Sequence, residues 1–444
     1  MLDSPMPIRR TSPNDGWHYW FGYYDKNPWS ADNTRLLAHR VSYCDRFPRP
    51  GESAEIGWIE DSHTDAPRFI KLAETRAWNW QQGAMLQWTH FPSSDPHAPQ
   101  RIIFNDSAPD GSLITRILNP DGSPFLTLPH PHVAVAAGRL LSLSFGRLSR
   151  LRPEYGYPIA SDPNPDNPSP ADDGIDRIDP DGSRTLIISI DQLDQITADN
   201  SPRAGSRLHQ HVNHLMFNPS GTRFCFMHRF ERDDGILHSR LFTADPQGND
   251  IRLLFEGMCS HYDWKDNHTI LAWAGKRSLL GSATARKTPK QQLMTLARRG
   301  LKPVYYALGK PRFLMNKIMK DSYLLINDTD LRSPAAQPPQ PFAAGQLICD
   351  GHCTFNRAGR DPGRWVLTDG YPDMKSRQPL FLWDCFNNTG YEIGRFHTPR
   401  SLDGDIRVDL HPRFNHDATK VCIDSAMDGS RAMYILDISA ITNT

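Results

Sequence analysis

The chain has 444 residues, with 50 Lys plus Arg balanced by 50 Asp plus Glu, so no global field directs it to nucleic acid or to a membrane surface. The N-terminus, MLDSPMPIRRTSPNDGW, lacks an apolar h-region and no run reaches 18 apolar residues, which predicts neither a secretory signal nor a transmembrane segment. The 7 cysteines are odd in number and fall mostly in strand-like runs (Cys225, Cys385, Cys422), so they read as buried free thiols suited to a reducing, cytoplasmic setting.

In chain order, a phrase of strand, polar turn and apolar strand recurs. Weak copies start at Tyr23 (YYDKNPWSADNTRLLAHR), Gly83 (GAMLQWTHFPSSDPHAPQRIIFND) and His132 (HVAVAAGRLLSLSF). Clear copies start at His214 (HLMFNPSGTRFCFMHR), His261 (HYDWKDNHTILAWA), His352 (HCTFNRAGRDPGRWVLTDG) and His411 (HPRFNHDATKVCIDSA). In most copies a third strand follows, often ending in an Asp turn, as in LITRILNPDGS, GIDRIDPDGS and SRLFTADPQGND. Asp-Gly favours tight turns because Gly accepts positive φ and Asp bonds its own backbone. A repeat of roughly 40–60 residues built of short strands is a propeller blade, whose faces are buried only by its neighbours.

The expected fold is therefore all-β, a seven-bladed β-propeller forming one domain over residues 1–444. The last blade ends near Ile438, and the segment around Pro7–Thr11 is expected to supply its outer strand. The alternative, a two-sheet sandwich plus another domain, fits the regular strand spacing less well. Two stretches stand outside the repeat. Residues 148–172 (LSRLRPEYGYPIASDPNPDNPSPAD) form a Pro-rich insertion expected at the surface. Residues 275–320, inside the fifth blade, carry twelve Lys/Arg and no Asp/Glu and include a predicted helix, PKQQLMTLARRGL. That stretch reads as a solvated face or as a docking surface for an anionic partner.

In a propeller the first strand of each blade lines the channel, so His214, His261, His352 and His411 are expected to converge on one axis. Imidazole is a ligand for Zn, Mn or Fe and the usual general base near neutral pH. The competing reading is that each bonds a neighbouring blade's backbone. Asp409 and Asp350 lie two residues before His411 and His352, hence on the same strand faces. His209 and His211 precede His214, and Arg240 sits on the third strand of the blade before His261. Arg229, Tyr155 and Tyr157 are candidates for sugar or carboxylate contacts, with packing as the alternative. Trp78, Trp80, Gln81 and Gln82 could stack on and bond a sugar, or wedge blades apart. Cys259 and Cys353 lie close in sequence to His261 and His352, but no CxxC spacing supports a zinc site.

The blocks CSHYDWKDNHTILAWA, DGHCTFNRAG, NHLMFNPSGTRFCFMHR, SRLFTADPQGND and DLHPRFNHDATKVCIDSAMDGSRAMYILDIS resemble the later blades of the oligogalacturonate lyases, best from about His211 to Ile438. The aromatic-Asn-Pro-Ser-Gly turn is shared with TolB-like propellers. The family consists of seven-bladed propellers that cleave short pectic uronides by metal-assisted β-elimination. The resemblance implies His261 as the proton-abstracting base and Arg240 as the catalytic arginine. It implies His352 and His411 as metal ligands, with Asp409 standing where the family has a further histidine. The family's metal-binding Gln falls near Ile406, which cannot coordinate, so two of four ligand positions depart. The implied cofactor is a divalent metal, Mn2+ by resemblance with Zn2+ as alternative, and the implied partner is an acidic oligosaccharide or polysaccharide. His211, His214, Arg229 and Tyr155 complete the expected substrate-binding set. The rival readings are a non-catalytic propeller that binds a glycan or a protein in polysaccharide metabolism, and a hydrolase using the same metal.

Overall fold

Turn chemistry shapes the strands of the protein, seen in a computed structural model that describes residues 1–197, 204–205, 207–232, 237–275 and 321–443. Ser112, Ser123 and Ser183 each donate a backbone N–H at 2.9 Å to the Asp two positions before, Asp110, Asp121 and Asp181. Between each pair stands a glycine at positive φ (Gly111, Gly122, Gly182), the conformation that closes an Asp-Gly turn. Strand makes up 42% of the structure and helix 6%, in line with the all-β expectation.

The strands form six sheets, none closed on itself. Three four-stranded sheets come first. They comprise His18–Trp20, Leu36–Val41, Ala54–Glu60 and Arg68–Thr75; then Gln87–Thr89, Arg101–Ser107, Leu113–Leu118 and Pro124–Leu128; then Ala134–Ala136, Arg139–Leu143, Gly174–Ile178 and Arg184–Ser189. The fourth sheet has seven strands because one of them, Arg252–Trp264, serves twice. Its first part pairs with Leu237–Ala244 and its second part, from Met258, with Thr269–Gly275. The remaining sheets contain Thr354–Phe355, Trp365–Asp369, Arg377–Asp384 and Thr389–His397, and then Arg413–Phe414, Lys420–Ser425 and Ala432–Asp437.

The N-terminal arm joins both of these last sheets. Ile8–Arg10 pairs antiparallel with Ala432–Asp437, through Ile8↔Leu436 and Arg10↔Tyr434, so the expected outer strand is in place. Leu2–Asp3 adds a parallel strand beside Thr389–His397, which the sequence did not suggest. The first and last sheets also meet: Tyr19 N–H donates to Arg431 O at 2.9 Å, and Asp424 accepts from Phe21 N–H at 3.1 Å. The largest apolar cluster gathers Tyr23, Tyr24, Met85, Leu141, Leu215 and Tyr262, so neighbouring sheets share a core.

The 148–172 segment opens inside a helix, Phe145–Leu151, capped by Ser144 Oγ on Arg147 N–H. Tyr157 within it is fully buried and stacks on Phe145 at 4.2 Å, so this end of the segment packs inward. The basic stretch 275–320, apart from Gly275, lies outside the described residues. All seven cysteines are free. Among the described residues no helix is long and apolar enough to cross a membrane.

Candidate functional site

His214 and His261 lie within Gln210–Phe217 and Arg252–Trp264, His352 and His411 just before Thr354–Phe355 and Arg413–Phe414, and at three of the four the backbone is irregular. His214 and His411 have φ of 57° and 43°, rare for residues with a side chain. The pairing register shifts between Asn213 and Met216, and again between Cys259 and Tyr262. These irregularities turn the imidazoles toward a common centre. The ring centroids of His261 and His352 are 4.1 Å apart, and those of His352 and His411 4.3 Å. Two tyrosines from the first repeat fill the middle. Tyr23 packs against His214, His352 and His411 at 4.9, 6.1 and 5.2 Å, and Tyr24 against His214, His261 and His352 at 5.4, 5.9 and 5.2 Å.

His352, Asp409 and His411 are all buried, and one ligand atom from each lies within 4.8 Å of the others. Nε2 of His352 and Nε2 of His411 are buried without a hydrogen-bond partner among the described residues. A buried imidazole nitrogen left unpaired is costly unless something fills the gap. Asp369, at the end of Trp365–Asp369, organises the pair. Its carboxylate takes His352 Nδ1 at 2.9 and 3.0 Å and the His352 backbone N–H at 2.7 Å, and its Oδ2 accepts from the His411 backbone N–H at 3.2 Å. Burial acts to lower the His352 pKa, but Asp369 outweighs it and the value stands above the usual 6.5. Burial drives His411 well below 6.5, with His352 adding to the effect. Burial would raise Asp409, but Arg407, at 2.6 Å through Nε, holds its carboxyl below the ordinary value. Two imidazoles presenting Nε2 beside one carboxylate, with a second carboxylate fixing an Nδ1, is a donor set that suits Mn2+ or Zn2+.

His261 is oriented by Asp350, whose Oδ1 accepts from Nδ1 at 2.9 Å. Ser260 Oγ lies 3.1 Å from the same nitrogen. Burial, reinforced by His352, lowers the His261 pKa, so the ring is neutral at pH 7 with its lone pair on Nε2.

His261 and His214 line a cavity of about 300 Å³ together with Tyr23, Tyr155, Tyr371 and three arginines, Arg152, Arg229 and Arg407. Glu154, paired with Arg152 at 2.6 Å, is the one lining acid among the described residues. The metal-capable triad sits behind this wall, touching it through His261, Tyr23 and Arg407. Thus His214, Arg229 and Tyr155 line one cavity with His261. Arg240 is not among the lining residues. It is fully buried on Leu237–Ala244, with Nε 2.8 Å from Glu256 and Nη1 3.7 Å from Asp194.

Other sequence candidates also fall elsewhere. His211 faces a small hollow lined by Arg147 and Asp173. His209 meets Arg150 at 3.2 Å, and Tyr157 accepts from Asn105 at 2.9 Å. Trp78, Trp80, Gln81 and Gln82 are buried. The two tryptophans pack on Trp20 at 5.3 and 4.8 Å, while Gln81 bonds both ends of Arg407, its side chain at 3.3 Å and its carbonyl at 3.2 Å. They brace the site and present no sugar platform. Cys259 lines the cavity with its thiol pushed up to about 12 by burial, and Cys353 is buried near Leu271 O; neither belongs to the triad. Asp369, Tyr23, Arg152 and Arg407 went unflagged in the sequence, apart from Tyr23 as a repeat start.

No protein-family model matches this sequence, and no curated protein matches it. Solved structures do. An oligogalacturonate lyase in complex with manganese aligns over 98% of this chain and 98% of its own, with a TM-score of 0.55 at 12% identity. An oligogalacturonate lyase from Vibrio parahaemolyticus aligns over 98% of this chain and 95% of its own, with a TM-score of 0.55 at 13% identity. The fold of this chain is the one found in those lyase structures.

Proposed function

We propose that this protein is a seven-bladed β-propeller that cleaves a uronic-acid-containing glycan by β-elimination, assisted by one divalent cation. Seven blades follow if the seven-stranded sheet is taken as two, divided at Met258, and if the contacts between the first and last sheets complete a ring. The observation that carries the functional reading is the pair of buried, unpartnered Nε2 atoms of His352 and His411 beside Asp409. These three residues would hold the cation, Mn2+ by analogy with the manganese-bound lyase, or Zn2+. When bound, a divalent cation neutralises a carboxylate and makes the adjacent C–H more acidic.

The chain's own groups supply the rest. His261 is neutral, and with Asp350 on its Nδ1 it offers Nε2 as the base for the C5 proton. Tyr155, His214 and the basic wall bind and orient the acidic sugar. The C5 proton goes to His261, the C5–H electron pair forms the C4–C5 double bond, and the C4–O bond breaks with its pair leaving on the oxygen of the departing sugar, which takes up a proton from water. Arg240 is engaged with Glu256 and Asp194 and is not among the residues lining the cavity, which favours a second reading, a non-catalytic glycan-binding propeller. The free thiols support a cytoplasmic location.

The deciding experiment incubates the protein with Mn2+ and a panel of uronic oligosaccharides and follows ultraviolet absorbance. The lyase reading expects a rising signal from a 4,5-unsaturated uronide. Binding without that signal on the whole panel establishes the non-catalytic reading.

A further inference from the structure

We propose that Arg229 is the specificity-determining residue of the cavity, the guanidinium that receives a sugar carboxylate lying outside the reach of the His352–Asp409–His411 triad. This rests on the reading of the cavity as a glycan site and identifies the residue that reads the acid.

Strand alternation puts Arg229 there. It lies on Phe224–Glu231 and pairs with Ser239 of the next strand, and both line the cavity. One residue away on each strand, His228 pairs with Arg240, and this pair faces the other side, where His228 Nε2 meets Gln210 Oε1 at 2.7 Å and Arg240 meets Glu256. Successive side chains of a strand point to opposite faces, so Arg229 and Arg240 cannot exchange roles without a slip of register.

The partners of the three lining arginines differ. Arg152 has Glu154 and Arg407 has Asp409. Arg229 is 7% exposed and forms no ion pair with a described carboxylate. Its Nη2 donates to Cys259 O at 2.8 Å and lies 2.7 Å from Met227 Sδ, while its Nε has no partner. A buried guanidinium without a counter-ion is costly to keep, and a carbonyl and a thioether do not neutralise it. Burial and the neighbouring charge of Arg152 press its pKa down, as expected for a cation awaiting an anion. A carboxylate matches the planar fork of an arginine in two parallel hydrogen bonds. A neutral sugar would leave the charge unanswered.

The test measures binding of D-glucuronate, D-glucose and D-glucose 6-sulfate by titration in excess EDTA, so that the triad holds no metal. The wild type should prefer glucuronate to glucose, and Arg229→Gln should weaken glucuronate by about 10–100-fold with glucose unchanged. Arg177→Gln, a surface control paired with Asp179, should match the wild type. Because the titration excludes metal and reads no turnover, its outcome does not depend on the triad, which separates this proposal from the lyase reading. Arg229→Lys, which keeps the charge and loses the fork, should fall between and serves if Arg229→Gln does not fold. Equal affinity for glucose and glucuronate, wild-type affinity in Arg229→Gln, or tighter binding of the sulfate would overturn the assignment. So would failure of both variants to fold, which would make Arg229 a residue of the scaffold.

Discussion

The rings of His261 and His352 lie 4.1 Å apart, yet each answers to a different carboxylate: Asp350 holds Nδ1 of the first and Asp369 holds Nδ1 of the second. The two acids push the two rings toward different tasks. His352 stands in the triad with Asp409 and His411, while His261 lines the cavity. The separation gives the site two parts that substitution can address one at a time.

The metal part is tested by elemental analysis. Wild-type protein purified without chelator is expected to hold about one divalent ion per chain. His352→Ala and His411→Ala should abolish that content while the far-ultraviolet spectrum stays β-type. Asp369→Asn should weaken metal affinity by roughly 10–100-fold, the usual cost of losing the acid behind a ligating histidine. Full metal content in both histidine variants would remove the triad from consideration.

The base is tested by turnover. With an acidic oligosaccharide as substrate, His261→Ala should cut kcat by roughly 10²–10⁴-fold with metal content unchanged. Asp350→Asn should lower kcat as well, by a smaller factor, because the ring loses the acceptor that fixes its tautomer.

Arg240 is tested by unfolding. Because it is buried between Glu256 and Asp194, Arg240→Ala should destabilise the fold by about 3–5 kcal/mol in denaturant titration, the cost of removing one partner of a buried ion pair. A loss of turnover with no loss of stability would instead return Arg240 to the chemistry.

Asp173 gives a pH signature. Burial lifts its pKa to about 6 against the pull of Arg147, with Asp162 and Asp176 also raising it, and its Oδ2 has no partner. A carboxyl with a raised pKa in the folded state stabilises the fold below its unfolded value, and this contribution is lost as pH rises through about 6. Asp173→Asn should therefore be more stable than wild type at pH 7–8, by at most roughly 3 kcal/mol. The difference should vanish below about pH 4, as read from melting curves across pH.

The strand repeat was readable because its signals are local: Asp-Gly turns and alternating apolar runs declare themselves within a dozen residues. The histidines were readable for a related reason, since equal positions in equal units must meet near one centre. Asp369 was not. It looks like part of the turn in LTDG, and only the fold carries it 17 residues back to His352. The Trp78–Gln82 run was read for its chemistry, whereas burial against Trp20 and the grip on Arg407 decide its role. Arg240 was given its role by the resemblance of a short motif, and the side of the strand it occupies depends on pairing that no short motif records. The departure at Ile406 was visible in sequence; that its neighbour Arg407 would lean on Asp409 was not.

The N-terminal arm sets a clock on biosynthesis. Ile8–Arg10 leaves the ribosome about 420 residues before its partner Ala432–Asp437. At 5–20 residues per second the wait is roughly 20–90 s. Throughout that interval the early strand has no native neighbour, and when Ala432–Asp437 emerges its outer edge is open to any strand that reaches it first. The nascent chain is thus exposed to mispairing along Ala432–Asp437 until the arm returns to that edge.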